Sequence, residues 1–384
     1  MNKIKSLLLT LTVLCGTLSI TSCGDDENSS NGSTNNPVRD FVVQSKKSDT
    51  AILLCTFGST FKESMKTYDA IIKDYEKAFP GTDVYLSFTS RTCVNRVKSE
   101  TGVDRYQPDY WLEAIGEAGY KRVAVQSLHV IPGEEYLSLM NTDVKKNFMI
   151  ASFPNIEVLK GANLLANQED VDAVADVLYS TYKDVLADKK NILLFVGHGN
   201  PDINYAHANE QYTNLETAIL KQTFHKNAFV GTVDYGSMLF FPEVEKDKNG
   251  TFIDIPKDED VADTYIYKKL LNYCKINKLE PKDITIHMTS VMSIAGDHAH
   301  NDLWGLEDED TKVNEAFPYA DFSWRLKITK MGFRIDEDES HHGGVDKCTI
   351  KGLGDYSAIR SIWLNHLKDK YNNADAWETG QDYQ

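Results

Sequence analysis

What this chain lacks narrows its class before any motif is read. Its six cysteines include no C-x-x-C pair, which excludes zinc-ribbon and thioredoxin-type sites. Cys15 and Cys23 fall in the N-terminal segment. Cys55, Cys93, Cys274 and Cys348 are scattered, and Cys55 lies in an apolar run that reads as a core strand. Positive charge is also short. Lys and Arg number 41 against 57 Asp and Glu, for a net charge of −16, which argues against a nucleic-acid partner and suits a cationic one. The N-terminal apolar run, residues 7–14, is too short to span a bilayer.

That run instead has the layout of an export signal. Lys3 and Lys5 precede it, and Ile20-Thr21-Ser22-Cys23 closes it like a lipobox. Residues 1–22 are therefore expected to be a lipoprotein signal peptide and Cys23 the lipidation site. Residues 23–47, dominated by Asp, Glu, Asn, Ser, Gly and Lys, read as a polar tether. The expected protein is exported and lipid-anchored in a bacterial envelope membrane, with membrane contact through the acyl chains alone.

Beyond the tether, strand and helix patterns alternate. Apolar runs at 51–56, 84–89, 123–130 and 156–159 read as strands, with helical spacing over 62–79, 108–118 and 171–186. The pattern then restarts: strands at 191–196, 228–233 and 284–294, and helices over 210–224, 263–274 and 356–371. Such alternation predicts an α/β fold of two similar domains, each a parallel sheet flanked by helices. The halves are expected at 48–187 and 188–384, facing each other across a central cleft. Residues 240–263 and 306–322 look inserted into the second half, the first as a hairpin or surface loop.

Two segments past strand ends carry the chemistry: V-G-H-G-N at 196–200 and A-G-D-H-A-H-N-D at 295–302. The ends of strands in open α/β sheets are where ligands bind. A third segment, I-P-G-E-E-Y at 131–136, aligns without a gap against residues 294–298, so Glu135 and His298 take equivalent places in the two halves. His198, His298 and Glu135 are thus expected to converge. Two neutral imidazoles and a carboxylate suit a divalent ion such as Co²⁺, Fe²⁺, Ni²⁺ or Zn²⁺ with positions left open. Asp297 is the expected carboxylate orienting an imidazole. His129 reads as a packed histidine, His300 and His207 as neighbours of the site, and His341-His342 as a solvated pair.

Together the segments F-T-S-R (88–91), S-L-H-V-I-P-G-E-E-Y (127–136), G-H-G (197–199), G-T-V (231–233), A-G-D-H-A-x-N-D (295–302), S-W-R-L (323–326) and G-L-G (352–354) make the chain resemble the sirohydrochlorin cobaltochelatases of anaerobic cobalamin synthesis, within the class II chelatases. The resemblance covers about residues 48–370. It implies two α/β halves around a tetrapyrrole cleft, with His198, His298 and Glu135 as metal ligands and catalytic residues, His198 also accepting a proton. The implied reaction inserts Co²⁺ into sirohydrochlorin and releases two protons, with Co²⁺ as substrate metal, Fe²⁺ or Ni²⁺ as alternatives, and no organic cofactor. The implied partners are the tetrapyrrole and the ion, and a homo-oligomer stays open. The stretch after Gly199 is longer than the family's usual G-T-x-H segment, and biosynthetic chelatases are expected in the cytoplasm. The alternative is an exported lipoprotein that binds haem, another tetrapyrrole or metal with little turnover. A metal-dependent hydrolase is disfavoured because an early D-x-H and a bridging carboxylate set are absent.

Overall fold

Alternation of buried side chains along the strands sets the layers of this protein. The computed structural model describes residues 36–102, 105–305, 317, 319, 322–336 and 350–383. The signal segment, Cys23, Cys348, His341-His342 and most of 306–322 lie outside the described residues. Within the unit Asn36–Gln384, the first half runs α1 (Arg39–Ser45), β1 (Thr50–Thr56), α2 (Lys62–Ala78), β2 (Asp83–Phe88), α3 (Arg91–Thr101), α4 (Pro108–Glu117), β3 (Arg122–Ser127), α5 (Glu134–Leu137), a π-helix (Ser138–Ser152) and β4 (Glu157–Gly161). Then follow α6 (Gln168–Leu186), β5 (Asn191–Gly197), α7 (Glu210–Gln222), β6 (Ala228–Thr232), α8 (Ile266–Asn277), β7 (Thr285–Ser290), α9 (Trp324–Lys330), β8 (Arg334–Ile335) and α10 (Ser357–Tyr371).

The strands form two parallel four-stranded sheets, β2-β1-β3-β4 and β6-β5-β7-β8. The same order in both bears out the α/β reading of two similar sheets flanked by helices. Every second residue of a strand faces the same way. In β1, Ile52 and Leu54 point into one core while Ala51, Leu53 and Cys55 point into another. In β5, Leu193 and Phe195 join the core of Ile52, and Ile192, Leu194 and Val196 face the opposite side. One apolar layer therefore runs between the two sheets, filled by α2, α6, α7 and α10.

Local signals explain the helices that frame the loops. Ser90 caps α3 by accepting the Cys93 amide at 3.3 Å, and Gly102 ends it at φ 70°. Pro108 opens α4 and Asn167 caps α6. The 240–263 stretch holds a bridge between Lys246 and Phe252 around Asn249-Gly250, a small hairpin.

The last helix departs from its expected place in the second half. α10 lies on the first sheet, where Ile359, Trp363 and Leu367 share a core with Ile52 and Leu159. Beyond it, Glu378 pairs with Val158 at the edge strand β4. An apolar face of the first sheet is left to be covered, and the end of the chain covers it.

Candidate functional site

The two histidine loops meet where β5 and β7 end. His198 directly follows β5. β7 stops at Ser290, short of the expected Ile294, and the chain then turns, so His298 stands eight residues past the strand. Glu135 stands eight residues past Ser127, the end of β3. The equivalence of Glu135 and His298 is thus repeated in three dimensions, because Cys55 pairs with Ser127 as Val196 pairs with Ser290.

The segment leading to His298 is held by the G-L-G motif. The amides of Leu353 and Gly354 donate to Met292 and Ser293 carbonyls at 2.8 and 2.9 Å. A Cβ on Gly352 would lie 2.6 Å from the Ala295 amide nitrogen, so only glycine permits this approach. In the other loop Gly199 takes φ 90°, and a Cβ there would strike Tyr235.

His198 and His298 stand edge to face, ring centres 4.5 Å apart. Each carries a carboxylate partner. His298 Nδ1 donates to Asp302 Oδ2 at 2.5 Å, and His198 Nε2 lies 3.3 Å from Asp234 Oδ2. His198 Nδ1 donates to the Gly199 carbonyl at 2.8 Å. A carbonyl and a carboxylate only accept, so both neutral imidazoles carry their proton on Nδ1 and present a lone pair at Nε2. Phe57, an exposed ring, stands 6.2 Å from His198.

Sequence reasoning missed Asp234 and Asp302. The expected orienting residue, Asp297, accepts instead from Asn301 at 2.8 Å. Asp302 is one helical turn after His298, a spacing that could have been read. Asp234 comes from the β6 loop, whose amide donates to the His198 carbonyl at 2.9 Å. That contact exists only because β6 pairs with β5.

Glu135 sits apart. Among the described residues no three His, Cys, Asp or Glu side chains are gathered as a ready-made metal cage, neither the two histidines with Glu135 nor the two histidines with Asp234. Glu135 accepts from Thr89 and lines a cavity of ≈ 250 Å³ with Arg91, Asp109, Tyr110 and Asp143. Burial raises its pKa, Thr89 opposes, and Glu134 adds to the rise. Burial, with Asp109 and Glu135, also pushes Asp143 up to about 7. The Cys93 thiol, raised mainly by burial, feels both Asp297 and Glu135. His129 is buried, bonded to Ser127 and Thr89, and lowered by burial to about 4. It is a packed neutral histidine. His300 stacks on Phe61 at 3.8 Å and bonds the Gly296 carbonyl, so it pins the loop.

The two site imidazoles titrate in opposite directions. Burial lowers His198, and the charge of His298 lowers it further. Burial also opposes a charge on His298, but the hydrogen bond and charge of Asp302 outweigh it and raise the pKa above 6.5. The imidazolium–Asp302 pair therefore contributes stability below the ordinary histidine range and loses it as pH rises through the raised pKa. A metal needs the neutral ring, so affinity runs the other way and climbs as His298 deprotonates. In Asp302→Asn the onset of divalent-ion binding is expected at lower pH. Affinity above pH 8 is expected to fall about 10- to 100-fold, because the ring loses its orienting partner. Calorimetric titration from pH 5 to 9 checks both. An unchanged profile would contradict this role of Asp302.

A model of the family described as Cobalt chelatase (CbiK) matches residues 50–246 and 269–372. The break between the two stretches overlaps the hairpin insertion. Sirohydrochlorin cobaltochelatase from Salmonella typhimurium is 25% identical over 325 residues, covering 84% of this chain and 97% of the relative. Sirohydrochlorin cobaltochelatase CbiKC from Nitratidesulfovibrio vulgaris is 24% identical over 323 residues, covering 82% and 88%. Among solved structures, SirB from Bacillus subtilis with Fe³⁺ aligns at 12% identity and a TM-score of 0.48, over 85% of this chain and 97% of that one.

Proposed function

Because the chain belongs to the cobalt chelatase (CbiK) family, we propose that it inserts Co²⁺ into sirohydrochlorin with release of two protons. The observation that carries this reading is the facing of His198 Nε2 and Asp234 Oδ2 at 3.3 Å. The Nε2 lone pair of a neutral imidazole and a carboxylate oxygen are both acceptors, so the contact calls for a proton or a metal cation between them. A substrate metal ion meets that need, with Nε2 of His298 as a further donor from the adjacent ring. Two imidazoles and one carboxylate suit Co²⁺, and Fe²⁺ and Ni²⁺ share the preference. Coordination sites stay open for the macrocycle nitrogens.

Asp234 then takes the ligand place expected of Glu135. Glu135, on the other half, is read as a carboxylate facing the macrocycle. Its raised pKa favours taking up a pyrrole proton. His198, lowered by burial, is neutral at pH 7 and available as ligand and as first proton acceptor.

The signal-like pattern of residues 1–22 and the lipobox-like Cys23 support the reading of a form anchored in the envelope by lipid. In that setting the second reading is a surface protein that captures a tetrapyrrole or metal with little turnover. Anaerobic mixing of the purified protein with sirohydrochlorin and Co²⁺, followed by absorbance, separates the two. The expected result is insertion faster than the spontaneous reaction. Tight tetrapyrrole binding at only the spontaneous rate would overturn the chelatase reading in favour of capture.

A further inference from the structure

One side chain ties the His198 loop to the Glu135 loop. Asn200 Oδ1 accepts the backbone amide of Glu134 at 2.9 Å, joining the second half to the first beside Glu135. The backbone of Asn200 is itself clamped. Its amide donates to Asn209 Oδ1 at 2.8 Å, and its carbonyl accepts from Asn209 Nδ2 at 2.9 Å. Asn209, at the start of α7, is 1% exposed. A continuous hydrogen-bonded chain thus runs from α7 through Asn200 to the first turn of α5.

Two independent observations show that this contact is specific. A Cβ on Gly133 would lie 2.7 Å from Asn200 Oδ1, so glycine there makes room for the amide. Asn200 is also 8% exposed, and its Nδ2 is buried without a partner among the described residues. Burying an unmatched donor is unfavourable, which leaves the bond from Oδ1 as the reason an asparagine stands here.

The geometry points to Asn200 as a positioning residue that sets the distance between the His198 metal loop and Glu135 across the cleft. The inference rests on the chelatase reading above. It predicts a split in behaviour. His198, His298 and Asp234 all belong to the second half, so Co²⁺ binding in the absence of tetrapyrrole survives loss of the strut. Insertion, which needs groups from both halves in register, does not, since a shift of about 1 Å is enough to cost a large factor in rate.

The test uses the full mature chain, with Co²⁺ as the probe. In Asn200→Ala the kcat for insertion is expected to fall at least about tenfold, with the Co²⁺ dissociation constant within about twofold of wild type. The Glu134 amide is expected to exchange with deuterium faster than in wild type. Gly133→Ala is expected to reproduce the kcat loss by pushing Asn200 aside. The double variant is expected to be no slower than Asn200→Ala alone, because the clash and the bond are one interaction. Unchanged Glu134 exchange and unchanged kcat in Asn200→Ala would overturn the inference. So would additive losses in the double variant, or equal weakening of Co²⁺ binding and kcat, the pattern of general destabilisation. Failure of wild type to insert Co²⁺ would instead count against the chelatase reading, and the exchange measurement still reports on the strut.

Discussion

In His198→Ala, cobalt insertion into sirohydrochlorin is expected to slow by about 10²- to 10⁴-fold, the range for losing a group that both holds a reactant and moves a proton. Folding is expected to persist. The His198 side chain is 37% exposed, so truncation opens no core cavity, and among the described residues its polar contacts are the neighbouring Gly199 carbonyl and Asp234. The loss has two sources. Asp234 no longer has an imidazole with which to share an ion, and the remaining donors, His298 and Asp234, bind it weakly. The base nearest the second half of the cleft is also gone. The measurement is the anaerobic rate with excess Co²⁺, together with thermal unfolding. A rate within about threefold of wild type, in a folded variant, would remove His198 from the chemistry. His298→Ala is a useful partner, since it removes a ligand whose proton is held by Asp302 and so is expected to lose less at low pH.

A chain ending at Asp355 is expected not to reach a cooperative native state. The deletion removes Ile359, Trp363, Leu367 and Trp377, all buried in the layer between the sheets. Fully burying such side chains contributes about 1.5–3 kcal/mol each or more, so their sum approaches the total stability of a typical domain, about 5–15 kcal/mol. The milder Trp363→Ala is expected to cost about 3–5 kcal/mol, because the indole is 1% exposed and packed on every side. Denaturant titration of both checks this. A sharp transition with native circular dichroism in the truncated chain would show that the first sheet closes its core without the C-terminal helix.

The parts of the fold visible in the sequence were those with strong apolar periodicity. β1 and β5 announce themselves as unbroken apolar runs, and α2 shows Tyr68, Ile71 and Tyr75 at helical spacing. α3 did not, since its sequence R-T-C-V-N-R-V-K-S-E-T buries only Val94 and Val97 among the hydrophobic side chains described. Its cap, Ser90, was a readable signal inside F-T-S-R. The π-helix was hidden for a different reason. Its buried residues Leu139, Met140, Val144, Phe148 and Met149 recur at intervals of four and five, a wider turn than the 3.6-residue period against which helices are sought. α10 was visible as a helix, but nothing local says which sheet it covers.

The site divides along the same line. His198, His298 and Glu135 stood out because glycines and strand ends mark their loops. Asp234 was illegible because its role depends on β6 lying beside β5, a relation of topology. Glu135 was found by its register, while its contacts were not legible in the sequence. Register fixes which residues are equivalent in two halves, but each side chain then answers to its own surroundings, here Thr89 and a cavity wall.

The apolar layer shared by both sheets has a kinetic consequence. Proteins that clamp a ligand between two lobes usually bend at a slender connection. Here Ile52, Phe195 and Trp363 belong to one uninterrupted core, and close-packed cores resist gradual deformation. Widening the gap for a broad, flat molecule therefore falls to the loops at the strand ends, around Phe57, Asn200 and Ala295. Loop motions of that kind run from nanoseconds to milliseconds. Loop anchors such as Ser64, whose hydroxyl donates to the Ala295 carbonyl at 2.8 Å, are then the contacts such an opening has to break.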